Sequence, residues 1–272
     1  MIYKKFLPRE DLENFIECYY VWESGNSNSE PIEVESPPNA FTSIVFNYAD
    51  PYMVSNNKGL RTITPMQFII GQQTYSYKLH LTGKVGMAGI VFKPTGIASL
   101  LNISMHSLTG ERVDLKVFIK KEIISGVMEK LVFSKSPERR YKVLEDFIIE
   151  NYIKDCPEQD PIDKAANLIV KEKGKVNINE LCENSFMSRR QFERKFLKKV
   201  GLSPKYYARL RRIGYICSLM AGKEKVNWQD LYLNNDFYDQ SHFIKDFTEF
   251  TGRPPEKYFY FNNELVHYLE EG

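Results

Sequence analysis

No stretch of this sequence approaches the ~18 consecutive apolar residues of a membrane-spanning helix, so no membrane span is expected. Cysteine is sparse and scattered. Cys18, Cys156, Cys182 and Cys217 have no close neighbour among themselves, which leaves no CxxC pair for a metal or redox centre. Buried or idle thiols in a reducing cytosol are the expectation. Histidine is scarce too, and His80 and His106 stand isolated, as structural histidines do. There is no phosphate-cradling loop, no nucleophile motif and no His/Asp/Glu cluster, so no enzyme activity, catalytic residue, metal or cofactor is expected. The opening residues, MIYKKFLPRE, lack the apolar core of a secretory signal, and a cytoplasmic protein is expected. Net charge is nearly absent: +2 overall identifies no partner.

The distribution of charge is more informative than its sum. Residues 1–160 carry slightly more acid than base, whereas residues 178–221 hold ten Arg or Lys against three Glu. A local excess inside a balanced chain marks a basic patch. It centres on residues 188–199, SRRQFERKFLKK, which read as one short helix. Ser188 suits the N-cap, with Gln191 three residues on as in a capping box. Phe192 and Phe196, four apart, share the face that can meet a core. Arg189, Arg190, Arg194, Lys195, Lys198 and Lys199 cover the rest.

At 272 residues the chain is long enough for two domains with separate cores. Residues 11–20 fit a short helix or a strand equally, and residues 24–30 read as a polar loop. Short β-rich runs follow at 42–48, 67–71, 75–81 and 88–92, punctuated by Asn, Asp, Gly and Pro, as in a small barrel or sandwich. A helix is expected after the turn at 94–96. Two amphipathic segments, VFIKKEIISGVMEKLVF and RRYKVLEDFIIENYIK, predict an antiparallel helix pair. The proline-bounded stretch DCPEQDP, 155–161, is the expected linker.

Beyond it the pattern is helical and repeats. Phe192, Phe196, Gly201, Pro204 and Tyr207 recur 51 residues later as Phe243, Phe247, Gly252, Pro255 and Tyr258, while Leu181 matches Leu231 at 50. The second copy therefore has one extra residue in its turn. Each copy reads as helix, tight turn, longer helix, Gly stop and Pro restart.

Two such copies about fifty residues apart, joined by a long helix, resemble the DNA-binding half of the AraC/XylS family of bacterial transcription regulators. The stretches INELCENSFMSRRQFERKFLKKVGLSPKYYARLRR and WQDLYLNNDFYDQSHFIKDFTEFTGRPPEKYF carry the likeness, the second through Phe237, Asp239, Gln240, Ser241, His242, Phe243, Phe247, Gly252, Pro255 and Tyr258. It spans residues 161–261. In the N-terminal half, GMAGIVFKPTGIASLLNIS with LTGERVDL is similar to the sensor half of one AraC-type subgroup. Phe186 and Asp236 depart from the pattern, standing where the family has Gly in each turn, and Tyr232 replaces a small Ala.

The resemblance implies an α+β chain. A β-rich, barrel-like (cupin-like) domain with helices would occupy 1–112, and a helical connector able to dimerise 113–158. An all-α domain with two helix-turn-helix motifs and a linker helix would occupy 159–272. It implies a sequence-specific regulator of double-stranded DNA, with RNA polymerase, a second copy of the chain and a small-molecule effector as further partners. The base-reading places fall on Arg189, Arg190, Glu193 and Arg194 in the first motif and on Gln240, Ser241, His242 and Lys245 in the second; a local structural bond is an equal reading of His242. Arg suits guanine, Glu the cytosine amine and Gln adenine. Lys198 and the linker arginines Arg209, Arg211 and Arg212 are the expected phosphate contacts. A rigid linker would hold the two recognition helices about one DNA turn, ~34 Å, apart. Trp22, Phe46, Tyr48, Tyr75 and Tyr77 are the candidate effector-pocket residues, drawn from an aromatic supply that also includes Tyr20 and Phe41, although core packing accounts for most such rings. Two alternatives stay open: an N-terminal half that only dimerises or binds a protein, for which a filled barrel with an exposed apolar face would speak, and, remotely, an enzyme with a DNA-binding tail.

Overall fold

A computed structural model describes residues 1–24, 28–153, 158–220, 223 and 226–261. Part of the expected linker, with Cys156, and the tail beyond 261 lie outside these residues.

The N-terminal half is two packed sheets. The larger has the order β1-β2-β9-β4-β7-β10, built from β1 (Ile2–Phe6), β2 (Ile16–Glu23), β9 (Gly86–Phe92), β4 (Thr42–Asn47), β7 (Gln67–Ile70) and β10 (Arg112–Asp114). The smaller has the order β3-β8-β5-β6, from β3 (Asn28–Ser36), β8 (Tyr77–Gly83), β5 (Met53–Ser55) and β6 (Arg61–Ile63). Pairing is antiparallel throughout. Strands β4 and β9 are covered on both faces, which is why TSIVFN and GMAGIVF read as apolar runs with little alternation. Gly89 makes room for the Tyr20 ring, which crosses the sheet at that point; a Cβ there would lie 2.3 Å from it.

The expected runs at 42–48, 67–71 and 88–92 are strands, and β8 starts two residues later than its run. Residues 11–20, left open between helix and strand, give one turn of 3-10 helix (Glu10–Leu12) and then β2. Strand β3 begins at Asn28, inside the expected polar loop.

Helix α1 (Gly96–Leu101) and the antiparallel pair α2 (Lys121–Phe133) and α3 (Pro137–Tyr152) close the outer face of the large sheet. Leu131, Leu144, Phe147 and Ile148 pack there with Ile44, Phe46 and Ile90. A second core, with Val34, Val45, Phe68 and Leu81, lies between the sheets.

The C-terminal half is helical: α4 (Pro161–Lys171), α5 (Ile178–Asn184), α6 (Arg189–Val200), α7 (Pro204–Met220), α8 (Trp228–Leu233), α9 (Gln240–Thr251) and α10 (Pro255–Phe261). Asp160 caps α4 in a reciprocal box: its carboxylate accepts from the Ile162 and Asp163 amides, and the Asp163 carboxylate accepts from the Asp160 amide. Helix α7 runs through the middle, with Tyr207, Leu210, Ile213 and Ile216 buried in one core with Phe192, Phe196, Phe243 and Phe247. Ala40, from the loop before β4, is buried in that same helical core.

Candidate nucleic-acid interface

The two repeats fold as α5-turn-α6 and α8-turn-α9. In the first, the Ser188 hydroxyl accepts from the Gln191 amide, 3.3 Å, and α6 ends at Gly201, φ +94°. In the second, the Asp239 carboxylate accepts from the His242 amide, 2.7 Å, and α9 ends at Gly252, φ +76°. Both turns pass through the left-handed region at a residue other than glycine, Phe186 at +54° and Asp236 at +56°. Asp visits that region readily; the Phe186 Cβ crowds its own backbone there. The extra residue of the second turn is Tyr238, and it projects into solvent with 92% of its surface exposed.

Helix α6 buries Phe192, Phe196 and Val200 and turns Arg189, Arg190, Arg194, Lys195 and Lys198 outward. Arg189 Nε donates to Glu193 Oε1, 3.0 Å, one turn on, so Glu193 is drawn toward its own helix. Arg190, Arg194, Lys195 and Lys198 form no ion pair among the described residues. Lys199 leaves the basic face: its ammonium is 2.9 Å from carboxylate oxygens of both Asp160 and Asp163 and donates to Ser99 Oγ.

Helix α9 presents a thinner surface. Gln240, Ser241 and Lys245 are exposed. His242 is half-buried, its ring edge-on to Phe237 at 5.6 Å and its Nε2 3.6 Å from Asp246.

The linker arginines point inward. Arg209 makes a two-pronged pair with Asp246, 3.1 and 2.8 Å, and donates to Glu249 at 2.6 Å. Those carboxylates, Asp246 foremost, push its pKa further up. Arg212 donates to the Asp236 carbonyl, 3.0 Å, approaches Asp246 at 3.9 Å and stacks on Phe237, while burial pulls its pKa down. Arg211 turns the other way: it donates to the Asn39 carbonyl, 2.6 Å, and covers the Phe41 ring, 4.4 Å to the centroid. Of the four residues expected at phosphates, Lys198 alone has its charge in solvent. The reason is the position of α7: with other elements packed around it, its polar side chains meet protein. Asp246, the carboxylate that gathers these groups, was missed by sequence reasoning. Its signal was an acid between Phe243 and Phe247, on the side of the helix that faces the core.

The candidate effector residues do not gather in one place. Trp22 and Tyr77 line a cavity of about 670 Å³ between the sheets, together with Tyr3, Tyr20 and Phe41. Phe46 is buried on the opposite face of the large sheet, edge-on to Phe147 at 5.7 Å. Tyr48 lies under the Arg140 guanidinium, 5.0 Å, and Tyr75 is exposed beside Tyr206. Tyr3 carried no signal, because only its pairing in β1 brings it to the cavity.

His80 is not isolated in space. Its Nε2 is 2.8 Å from Ser55 Oγ and its Nδ1 3.0 Å from Glu33 Oε1, with Lys78 and Arg61 also on Glu33. His80 and Glu33 are direct partners in the β3–β8 register, so this line of groups is a cross-strand polar ladder. Among the described residues no group of three His, Cys, Asp or Glu could hold a metal, and no helix is long and apolar enough to cross a membrane.

Residues 4–114 match the model of a domain of unknown function, DUF6597, and residues 181–260 match that of a helix-turn-helix domain. Among curated proteins, none matches this sequence. Similar solved structures include ToxT from Vibrio cholerae, 13% identical, with a TM-score of 0.47 over 88% of this chain and 98% of that one. Wild-type ToxT bound to an unsaturated fatty acid is 11% identical, TM-score 0.46, over 90% and 98%. The AraC-like transcriptional activator CuxR is 11% identical, TM-score 0.28, over 77% and 84%.

Proposed function

We propose that this chain, a DNA-binding transcription regulator with an AraC-type helix-turn-helix domain at its C-terminus, grips duplex DNA mainly through α6 and reads it more lightly through α9. The observation that carries this is the outward face of α6: Arg189, Arg190, Arg194, Lys195 and Lys198 form a cationic strip on a helix fixed from behind by Phe192 and Phe196. Such a strip gains from the release of counterions when it meets phosphate. Arg190 and Arg194 take guanine edges in the major groove, with Arg189 and Glu193 beside them. Gln240, Ser241 and Lys245 do the same work in α9, and His242 supports the helix from within. Phosphate contact falls to Lys198 with Lys195. The linker arginines act at one remove: Arg209 and Arg212 fix α9 on α7, which fixes the spacing of the two reading helices.

The N-terminal domain senses a small molecule. Its cavity has the size and apolar walls of a ligand site. A second reading, a domain that associates with another copy without ligand, draws on Val132 and Phe133, exposed at the end of α2.

The test is selection of binding sites from random duplex DNA with the purified full chain. Enrichment of one sequence is expected, and its loss in the Arg190→Ala/Arg194→Ala double variant. A pool that shows no enrichment would remove the central proposal.

A further inference from the structure

The wall of the inter-sheet cavity and the surface of the linker helix are two sides of the same short loop, residues 37–41. On one side Asn39 and Phe41 line the cavity. On the other, the loop sits on one face of α7 made by Tyr207, Arg211 and Gly214, at the i, i+4, i+7 spacing of a single helical stripe. The Tyr207 hydroxyl donates to the Ala40 carbonyl, 3.0 Å, and Arg211 donates to that of Asn39 while stacking on Phe41. Gly214 lets the loop come close, since a Cβ there would lie 2.5 Å from the Pro38 carbonyl oxygen. Ala40 is fully buried and held at φ +57°, so the loop is wedged into the helical core in a conformation an alanine rarely adopts. Tyr207 in turn meets Phe196, the inner anchor of α6, at 6.0 Å between ring centroids.

The cavity walls indicate the occupant. Tyr3 and Tyr20 lie nearly parallel, 22° apart with centroids at 5.8 Å, and Trp22 stands edge-on to Tyr3. Arg112, stacked at 4.2 Å, backs the ring of Tyr77. These are flat, fixed aromatic surfaces. Burial pushes the Tyr3 and Tyr20 phenols up, so they stay neutral. At the wall Glu17 is paired with Lys93, and Lys5 sits over the Tyr3 ring, 5.8 Å to the centroid.

We propose that this cavity binds a planar aromatic molecule, and that its occupancy reaches the DNA-binding helices through residues 37–41 and the Tyr207–Arg211–Gly214 face of α7. A ring entering beside Phe41 displaces that side chain and with it the two carbonyls that Tyr207 and Arg211 hold. The helix carrying those side chains meets Phe196 of α6 through Tyr207 and holds Asp246 of α9 through Arg209. The proposal rests on the ligand-responsive reading of the N-terminal domain.

The probe is N-phenyl-1-naphthylamine, a neutral aromatic whose fluorescence rises in apolar surroundings, added to the full chain. The wild type is expected to bind it. Ser43→Phe and Val91→Phe, which fill the cavity from facing positions on β4 and β9, are expected to weaken binding about tenfold or more, with melting curves showing that each still folds. Saturating probe is expected to shift the affinity of the wild type for its selected duplex about fivefold or more. In Tyr207→Phe/Arg211→Met the probe is expected to bind as before while DNA affinity moves less than about twofold. Amide exchange gives a readout without DNA: probe should change protection in residues 39–41 and 205–214 of the wild type and leave 205–214 unchanged in the double variant. No binding to the wild type, or equal binding to both filled variants, overturns the site. Binding that leaves residues 205–214 unchanged overturns the relay. Failure to find any duplex would count against the DNA reading instead, with the exchange result still deciding this one.

Discussion

In the first helix-turn-helix motif the cations of α6 other than Lys199 face solvent; in the second, the central acid of α9 faces inward and draws two arginines of α7 with it. Both helices are anchored by a phenylalanine pair, end at a left-handed glycine and lie against the same linker helix. The skeleton is repeated and the charge is not. Apolar contact does not set the difference, since α6 buries Phe192, Phe196 and Val200 and α9 buries Phe243, Phe247 and Phe250. Where a polar group is built into the packing, as Asp246 is, the neighbouring cations are committed to holding the domain together.

The strongest way to break this contrast is Asp246→Ala. Arg209 would keep only Glu249, and Arg212 only a carbonyl, in surroundings that leave 24% and 13% of their side chains exposed. Removing one partner from a largely buried charge cluster costs about 3 kcal/mol. Urea unfolding should show a loss of that size, and amide exchange should place it in α9 before α6. A loss below about 1 kcal/mol, typical of surface pairs, would mean that the inward cluster does not hold the second motif.

The next largest effects are on DNA. Arg190→Ala and Arg194→Ala should each weaken binding to the selected duplex by about 1–3 kcal/mol, and Lys245→Ala by less than either. Lys198→Ala should act alike on all sequences and lower the slope of log affinity against log salt by about one. Gel-shift titrations at several salt concentrations read all four. If Lys245→Ala cost more than Arg194→Ala, the division of labour between the motifs would be reversed.

The destination of the arginines also marks where the sequence stops being legible. Periodicity was enough for α2, α3 and α6, and caps and glycine stops were enough for the two repeats, because these signals are local. Strands β4, β7 and β9 showed as apolar runs because they are central and covered. Strand β6, with all three residues exposed, and β1 and β10, at the sheet edges, have no such run and exist through their pairing partners. Arg209, Arg211 and Arg212 read in sequence as phosphate contacts. Their true neighbours, Asp246, Asn39 and Asp236, lie 24 to 172 positions away, and no spacing rule connects them. For the same reason only Trp22 and Tyr77 of the five candidate effector residues reach the cavity. Choosing aromatics by type cannot tell which face of a sheet they occupy.

The two turns offer a smaller comparison. Phe186 is held at positive φ with 97% of its surface in solvent, so it has strain without packing to offset it. Phe186→Gly should raise stability by about 1 kcal/mol, while Asp236→Gly, starting from a residue that tolerates the region, should stay within about 0.5 kcal/mol of wild type. Melting temperatures of the two variants decide this. Equal gains would mean that the side chain at the turn is irrelevant to strain there.

The smallest expected effect is the pH dependence of the tie between α6 and α4. Burial pushes the Asp160 carboxyl up, but the Lys199 ammonium and the amides of Asp163 and Ile162 more than offset it and hold it below the usual carboxylate range. A carboxyl whose folded value is depressed binds its proton more readily when unfolded. Its contribution is therefore complete above the unfolded value, about 3.9, and is lost as pH falls through the folded one. The urea midpoint of the wild type should thus drop below pH about 4, and Asp160→Asn should lower the midpoint at neutral pH while flattening part of that drop. An unchanged acid limb in Asp160→Asn would mean that the Asp160 carboxylate adds nothing to the attachment of α6.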